Sequence, residues 1–306
     1  METETIELHS PLVREAVRPS STLREKLSAY LELTKPRITV LIVLTSAAGF
    51  CLGSRGAVDY LLLTHAMIGI ALLSSGLATV NQFMERDLDA LMRRTEKRPL
   101  PTGRLLPFEA LWFGVALILT AEVYLASFVN LLTAALGLTI IAGYLLLYTP
   151  LKTRTTLSTA VGAFPGAMPP LIGWAAARGQ VDLAAWVLFA ILFLWQFPHF
   201  LAIAWMYRED YGRAGIRMLP VVEPEGRVTG QQIVAFTIML IPVSLLPAVM
   251  GISGRVYLVA AIVLGLGFLV SSVRAALSKS NQHARQLLLA SVLYLPLLFG
   301  VMVLNR

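Results

Sequence analysis

From residue 38 onward the chain alternates long apolar runs with short polar intervals. Runs near the roughly 20 residues that a helix needs to cross a bilayer recur at 38–54, 60–82, 106–127, 130–149, 156–177, 183–206, 231–251, 254–273 and 286–304. The pattern predicts nine transmembrane helices. No stretch reads as a separate soluble domain, so the expected organisation is a cytoplasmic segment, 1–36, followed by one helical membrane domain, 37–306. Most connections are short. The exceptions, 83–104 and 207–230, follow the second and sixth runs, four helices apart, a spacing that hints at two related halves although their sequences share little.

Composition supports the membrane reading. The 306 residues are 57% hydrophobic and 14% charged, with a mean hydropathy of +0.72, far from a soluble globular average. All but four of the 25 Lys and Arg fall in segments on the side of the N-terminus, including Arg14, Arg18, Arg24, Lys26, Lys35 and Arg37 before the first run. The four are Arg55, Arg178, Arg255 and Arg306. This asymmetry places the N-terminus in the cytoplasm and, with an odd number of spans, the C-terminus outside. The net charge of +7 follows from those basic loops and calls for no nucleic-acid partner. A lone cysteine, Cys51, excludes an intramolecular disulfide and any Cys-x-x-Cys motif. The first 30 residues lack a signal-peptide core, and Glu2, Glu4, Glu7, Glu15 and Glu25 argue against a transit peptide. The simplest address is a bacterial inner membrane, with the lipid bilayer as the standing partner.

Chemistry concentrates where the second run meets water, in NQFMERDLDALMRRTEKRPLPTGR, Asn81 to Arg104. If the helix continues, Asn81, Glu85 and Asp89 recur every fourth residue, about 40° apart around the axis and so on one face. Magnesium takes hard oxygen donors and is commonly bound by one or two carboxylates plus substrate phosphates. Pro99, Pro101 and Gly103 break the helix behind the acids, so that Arg93, Arg94, Lys97, Arg98 and Arg104 can turn back toward phosphate oxygens. The plainer reading of any such loop is solvated inter-span charge, and the one-face register weighs against it. Asp87 faces elsewhere.

Two further clusters lie at the same level. In WQFPHF, Gln196 and His199 sit inside an apolar run beside Trp195, Phe197 and Phe200, and polar groups within a span are candidates for function. His199 reads either as an imidazole bonded to a carbonyl freed by Pro198 or as a group that touches substrate, with iron ligation one form of that contact. Tyr207, Arg208, Asp210 and Tyr211 follow at the cytoplasmic mouth, where Asp210 is a candidate for a second metal or a surface pair with arginine, and Arg208 for phosphate. Tyr148 and Lys152, with Arg154 beyond, share a face, although a lysine at a helix end is by default a snorkelling anchor. Lys35 and Arg37 read as a basic anchor. The Gly- and Pro-rich stretch 161–174 predicts kinked, closely packed helix walls.

Taken together these motifs resemble the UbiA superfamily of intramembrane prenyltransferases, which carry an Asn/Asp-rich motif after the second helix, a Tyr-x-x-x-Lys motif and a second Asp-rich motif after the sixth. The likeness covers nearly the whole chain and is closest to the haem-modifying branch, through ERDLDALMRRT, RPLPTGR, YTPLK, PPLIGW, WQFPHF and DYGRAGIRMLP. Gln82 stands where quinone-pathway members usually carry Asp, and the second motif is reduced around Tyr207 and Asp210, which puts a second metal in doubt. The resemblance implies an all-α bundle with a central cavity open to the cytoplasm, farnesyl diphosphate as donor, haem B as acceptor and Mg²⁺ as cofactor. It implies metal binding by Asn81, Glu85 and Asp89, with Asp210 as a further ligand, and catalysis by those three with Lys152. Diphosphate would fall to Arg94, Arg98, Tyr148, Arg154 and Arg208, and haem to Gln196, His199 and Tyr207. Contact with a downstream haem-modifying enzyme or terminal oxidase assembly stays open, as does oligomeric state. The rivals are prenylation of an aromatic quinone precursor, which Gln82 and the aspartate-poor second motif oppose, and transport. For transport, Glu122 and His65 are the only further intramembrane candidates, and neither continues a path from the cytoplasmic acids.

Overall fold

A computed structural model describes residues 22–306; Arg14, Arg18, Glu2, Glu4, Glu7 and Glu15 lie outside the described residues. The first described element is a helix that the hydropathy pattern does not predict, α1 (Leu23–Leu33), because eleven residues are too short to register as a span. A reciprocal capping box starts it: Thr22 accepts from the Glu25 N–H, and the Glu25 carboxylate accepts from the Thr22 N–H. Lys35 then turns the chain through the left-handed region, φ 47°, into α2 (Pro36–Gly53), whose proline sits in the first turn, where no N–H is needed.

The helices that follow are α3 (Tyr60–Met84), the short α4 (Arg86–Ala90), α5 (Pro107–Phe128) and α6 (Leu131–Ile141). The last widens into a π-helical segment, Ala142–Tyr148, and ends as α7 (Thr149–Leu151). Then come α8 (Ser158–Gly166), α9 (Met168–Arg178), α10 (Leu183–Met206), α11 (Arg208–Arg213) and α12 (Leu219–Val222). Three long helices close the chain: α13 (Arg227–Val249), α14 (Arg255–Ser278) and α15 (Asn281–Leu304). The all-helical membrane architecture matches expectation. Among the described residues eight helical stretches, counting Leu131–Leu151 as one, are long and apolar enough to cross a bilayer unaided. The run at 156–177 is different, being two helices end to end. Pro169 and Pro170 lack the N–H groups that would bond back to Pro165 and Gly166, so the ladder stops at Ala167 and restarts as α9.

Two large apolar cores form among the described residues, with smaller clusters beside them. One joins α9, α10, α13, α14 and α15 around Leu188, Ile191, Leu240, Tyr257 and Leu298. The other joins α3, α5, α6 and α9 around Ile70, Leu73, Leu125 and Ile172. The seam between them is α2 against α9, where the backbones approach so closely that a Cβ on Gly49 would strike the Pro170 carbonyl and one on Gly173 the Ser46 carbonyl. Between the two halves α2, α3, the π segment, α8 and α10 leave a cavity of about 450 Å³.

Candidate active site

The cavity's acidic wall depends on a helix that breaks without losing register. Glu85 closes α3 with φ −100° and ψ 7°, and α4 begins at the next residue. Yet the Glu85 N–H bonds the Asn81 carbonyl at 3.0 Å and the Asp89 N–H bonds the Glu85 carbonyl at 2.8 Å, so the four-residue ladder runs through the break. Asn81, Glu85 and Asp89 therefore all line the cavity, at 2%, 7% and 1% exposure. Buried acids at a water-poor site need compensation. Arg98 Nη1 donates to both Asp89 oxygens at 2.8 and 2.7 Å, and Lys152 Nζ donates to Glu85 Oε1 at 2.5 Å. Pro99 and the turns after it direct Arg98 back, as the spacing predicts; Arg104 turns instead to Glu32 and the Lys97 carbonyl.

Asn81 shows how the π segment serves the site. Pro150 has no N–H to offer Leu146, and the segment before it widens to five-residue bonds, with the Thr149 N–H reaching the Tyr144 carbonyl. The Thr149 hydroxyl also donates to that carbonyl, at 2.9 Å, so toward Asn81 only its lone pairs remain. Asn81 Nδ2 fills them at 3.2 Å, which turns Oδ1 toward Lys35 Nζ, 3.4 Å away. The same widening sets the Tyr144 and Tyr148 rings side by side on the cavity wall, 5.3 Å apart, with the Lys152 ammonium 4.4 Å over Tyr148. Burial, and after it the Arg98 guanidinium, pushes the Lys35 ammonium down to about 7. Burial works to lower Lys152 too, but Tyr148 and Glu85 outweigh it and hold that ammonium above its ordinary value.

The opposite wall comes from α8 and α10. Gln196 Nε2 donates to the carbonyls of Ala163 and Leu192 at 3.1 and 3.2 Å, and its Oε1 occupies the space that a Cβ on Gly166 would need. His199 stacks on Trp195, with ring centroids 4.7 Å apart, and both rings are tied to Ser291 of α15. The Ser291 hydroxyl gives its proton to the Leu288 carbonyl at 2.6 Å. It can therefore only accept from His199 Nδ1, 2.7 Å away, so the proton sits on Nδ1 and the lone pair on Nε2. Nε2 has no hydrogen-bond partner among the described residues, and His199 opens onto the cavity.

Arg94 also lines the cavity and lies over Tyr207 and Tyr211, at 5.0 and 5.4 Å from their centroids. Four expected site residues are not on the cavity wall. Asp210 pairs with Arg213 and accepts from the Arg94 N–H, so it holds the loop that carries Arg94. Tyr207 lies beneath Arg94. Arg208 bonds the Trp205 carbonyl and Asn281 and covers the Trp205 ring. Arg154 is exposed, with its carbonyl taken by Arg217. Conversely, the residue that sequence reading assigns elsewhere is Lys35, whose path into the cavity depends on a left-handed turn without a sequence signature. Gln82 points away from the cavity, its amide donating to the Leu33 carbonyl at 2.8 Å, a bond that a carboxylate cannot make. Of the outer candidates, His65 is bonded to Tyr124 at 2.7 Å, and both Glu122 oxygens are buried against Gly137 without a hydrogen-bond partner among the described residues.

Among the described residues no three His, Cys, Asp or Glu converge as a preformed metal cage. The donors are two carboxylates and an amide oxygen, all hard, which suits a magnesium ion that completes its shell with phosphate and water. Charge points the same way. Lys35, Arg94, Arg98 and Lys152 exceed Glu85 and Asp89 by two positive charges when all are ionised, an excess that favours an anionic diphosphate ester.

Residues 42–297 match the UbiA prenyltransferase family. The chain is 56% identical over 286 residues to a protein of Solibacter usitatus named protoheme IX farnesyltransferase, covering 90% of this chain and 98% of that one. It is 46% identical to a protein of the same name from Koribacter versatilis, over 94% and 96% of the two chains. Among solved structures it resembles a UbiA homolog from Aeropyrum pernix, with TM-score 0.72 at 17% identity over 88% and 97% of the chains. It also resembles a UbiA homolog from Archaeoglobus fulgidus bound to DMAPP and Mg²⁺, with TM-score 0.62 at 17% identity over 89% and 98%.

Proposed function

The chain belongs to the UbiA prenyltransferase family, and on that footing we propose that it transfers the farnesyl group of farnesyl diphosphate to a vinyl group of haem B, adds water, and releases haem O and diphosphate. It is a prenyltransferase and a multi-pass membrane protein. The observation that carries the finer reading is the cavity, in which a charge-compensated acidic wall faces an aromatic wall bearing an imidazole with a free lone pair. The basic loops support a cytoplasmic N-terminus, an outer C-terminus and the bacterial inner membrane.

Without substrate, Arg98 is paired with Asp89 and Lys152 with Glu85, while Lys35 donates to the Asn81 amide and Arg94 lies over two tyrosine rings. Diphosphate offers Lys35, Arg98, Lys152 and Arg94 a new set of oxygens, and their exchange of partners frees Asn81, Glu85 and Asp89 to hold one magnesium ion. The ion supplies Lewis-acid charge that stabilises the leaving diphosphate. The four cations take up charge as the C1–O bond breaks and its electron pair leaves with the phosphate. The allylic cation needs shelter from water and negative surface around it, which Tyr144, Tyr148, Trp195 and Phe200 provide. The vinyl π pair of haem forms the new bond to C1. Water then adds to the carbocation left on the porphyrin substituent and loses a proton, giving a hydroxyethylfarnesyl group. His199 Nε2 positions the porphyrin through its iron, while Gln196 shapes the wall beside it.

Both substrates are apolar except at one end, which is why the reaction belongs in a bundle with a polar mouth. Purified protein given haem B, farnesyl diphosphate and Mg²⁺ is expected to yield haem heavier by one farnesyl group and one hydroxyl, and EDTA is expected to stop it. Haem of unchanged mass, with an aromatic quinone precursor prenylated instead, would overturn the acceptor assignment.

A further inference from the structure

Helix α1 divides its surface three ways. Lys26, Ala29, Tyr30 and Leu33 turn toward the protein, packing on Leu100, Leu105 and Ala110, with Tyr30 edge-on to Phe113 at 4.9 Å and Lys26 paired with Glu109 at 3.3 Å. Arg24, Glu25, Ser28 and Glu32 form a polar arc. The third arc is Leu23, Leu27 and Leu31, four residues apart, adjoining one another at about 40° steps, and 76%, 60% and 62% exposed. A helix with one protein side, one water side and one leucine side has the form of a helix lying in the plane of a membrane interface.

Its position agrees. Two residues separate Leu33 from Pro36, where the first membrane-spanning helix begins, so α1 lies at the level at which the chain enters the bilayer. The spans on either side also present exposed apolar side chains, Phe108 and Trp112 on α5 and Ile38, Val40 and Leu41 on α2. Arg24, next on the helical wheel, and Arg37, two residues beyond Lys35, are exposed, and such cations are drawn to lipid phosphates. At its other end α1 is joined to the active site: Gln82 grips the Leu33 carbonyl, Arg104 grips Glu32, and the left-handed turn at Lys35 delivers Nζ to Asn81.

We propose that α1 docks in the headgroup–acyl boundary of the leaflet at the cavity mouth, through Leu23, Leu27 and Leu31, and that this docking seats Lys35 against the diphosphate site. The occupant of the leucine arc is lipid.

The lone cysteine makes the test direct. In a Cys51→Ser background of the full chain, reconstituted in liposomes, single nitroxide labels are placed through Leu23→Cys, Leu27→Cys, Leu31→Cys, Glu25→Cys and Ser28→Cys. The three leucine positions are expected to collide more with dissolved oxygen than with a water-soluble nickel chelate, and the other two the reverse. Leucine positions that favour nickel, or that are shielded from both probes as a covering protein segment would shield them, overturn the lipid assignment. This measurement needs no catalysis, so its failure is separable from failure of the farnesyl-transfer reading on which the role of Lys35 rests. For that role, replacing all three leucines by serine is expected to raise KM for farnesyl diphosphate about fivefold or more, with haem affinity unchanged and isoleucine at the three positions restoring KM. An unchanged KM in the serine variant, in protein that still folds by circular dichroism, overturns the seating of Lys35.

Discussion

The two walls of the cavity solve opposite problems with different means. On the α3–α4 wall, charge is abundant and each charged group is held by another: Asp89 by Arg98, Glu85 by Lys152. On the α10 wall there is no formal charge, and one imidazole is oriented by a hydroxyl that has already spent its proton on the Leu288 carbonyl. The first arrangement is exchangeable, because ion pairs re-form readily with phosphate and metal. The second is fixed, because Ser291 can present only a lone pair. A site that must take up an ionic headgroup while holding a flat apolar partner needs both kinds of wall.

Breaking the ionic wall carries the largest expected effect. Glu85→Gln or Asp89→Asn removes a carboxylate while keeping shape, and turnover is expected to fall by about a thousandfold or more, with helical circular dichroism unchanged. A near-native rate in either variant would remove that residue from the metal set. Lys35→Met is expected to raise KM for farnesyl diphosphate about tenfold, the loss of one charge-assisted bond to phosphate, while haem binding, followed by visible absorption, stays constant. The fixed wall is expected to show the complementary split. His199→Ala weakens haem binding with diphosphate affinity kept, and Ser291→Ala does the same to a smaller degree, about three- to tenfold, because the ring remains but its tautomer is no longer imposed. Equal loss of both affinities in His199→Ala would make the residue structural. The smallest effect lies outside both walls. Glu122→Gln exchanges a carboxylate whose two oxygens find no partner among the described residues for a neutral amide of the same shape, and thermal unfolding is expected to rise by a few degrees, about 1 kcal/mol, with activity unchanged.

Much of this was legible in the residues themselves. Hydropathy located every long helix, and the four-residue spacing of Asn81, Glu85 and Asp89 placed them on one wall even though the helix breaks between α3 and α4, because backbone bonds carry the register through Glu85. Tyr148 and Lys152 were legible for the same reason. Arg208, Tyr207 and Arg154 lie off the cavity wall, and Asp210 makes the arginine pair that is one of its two sequence readings, since composition near a helix end reports the level in the membrane but not the direction a side chain takes. Arg213, which holds Asp210, stands inside DYGRAGIRMLP, where the motif gives no direction to its side chain, and Asn281, which holds Arg208, is 73 residues away. Helix α1 escaped because a three-turn amphipathic helix has neither the length nor the uniform hydropathy of a span.

The sequence by itself determined that this is a helical membrane protein and that Asn81, Glu85 and Asp89 share one face, because periodicity and hydropathy are local properties set by backbone geometry and solvent. Only the tertiary structure decided that Lys35 enters the site, that Gln82 leaves it, and that Ser291, 92 residues from His199, fixes where the imidazole proton sits. Those outcomes depend on which lone pair meets which N–H after the helices have packed, and no spacing along the chain encodes that meeting.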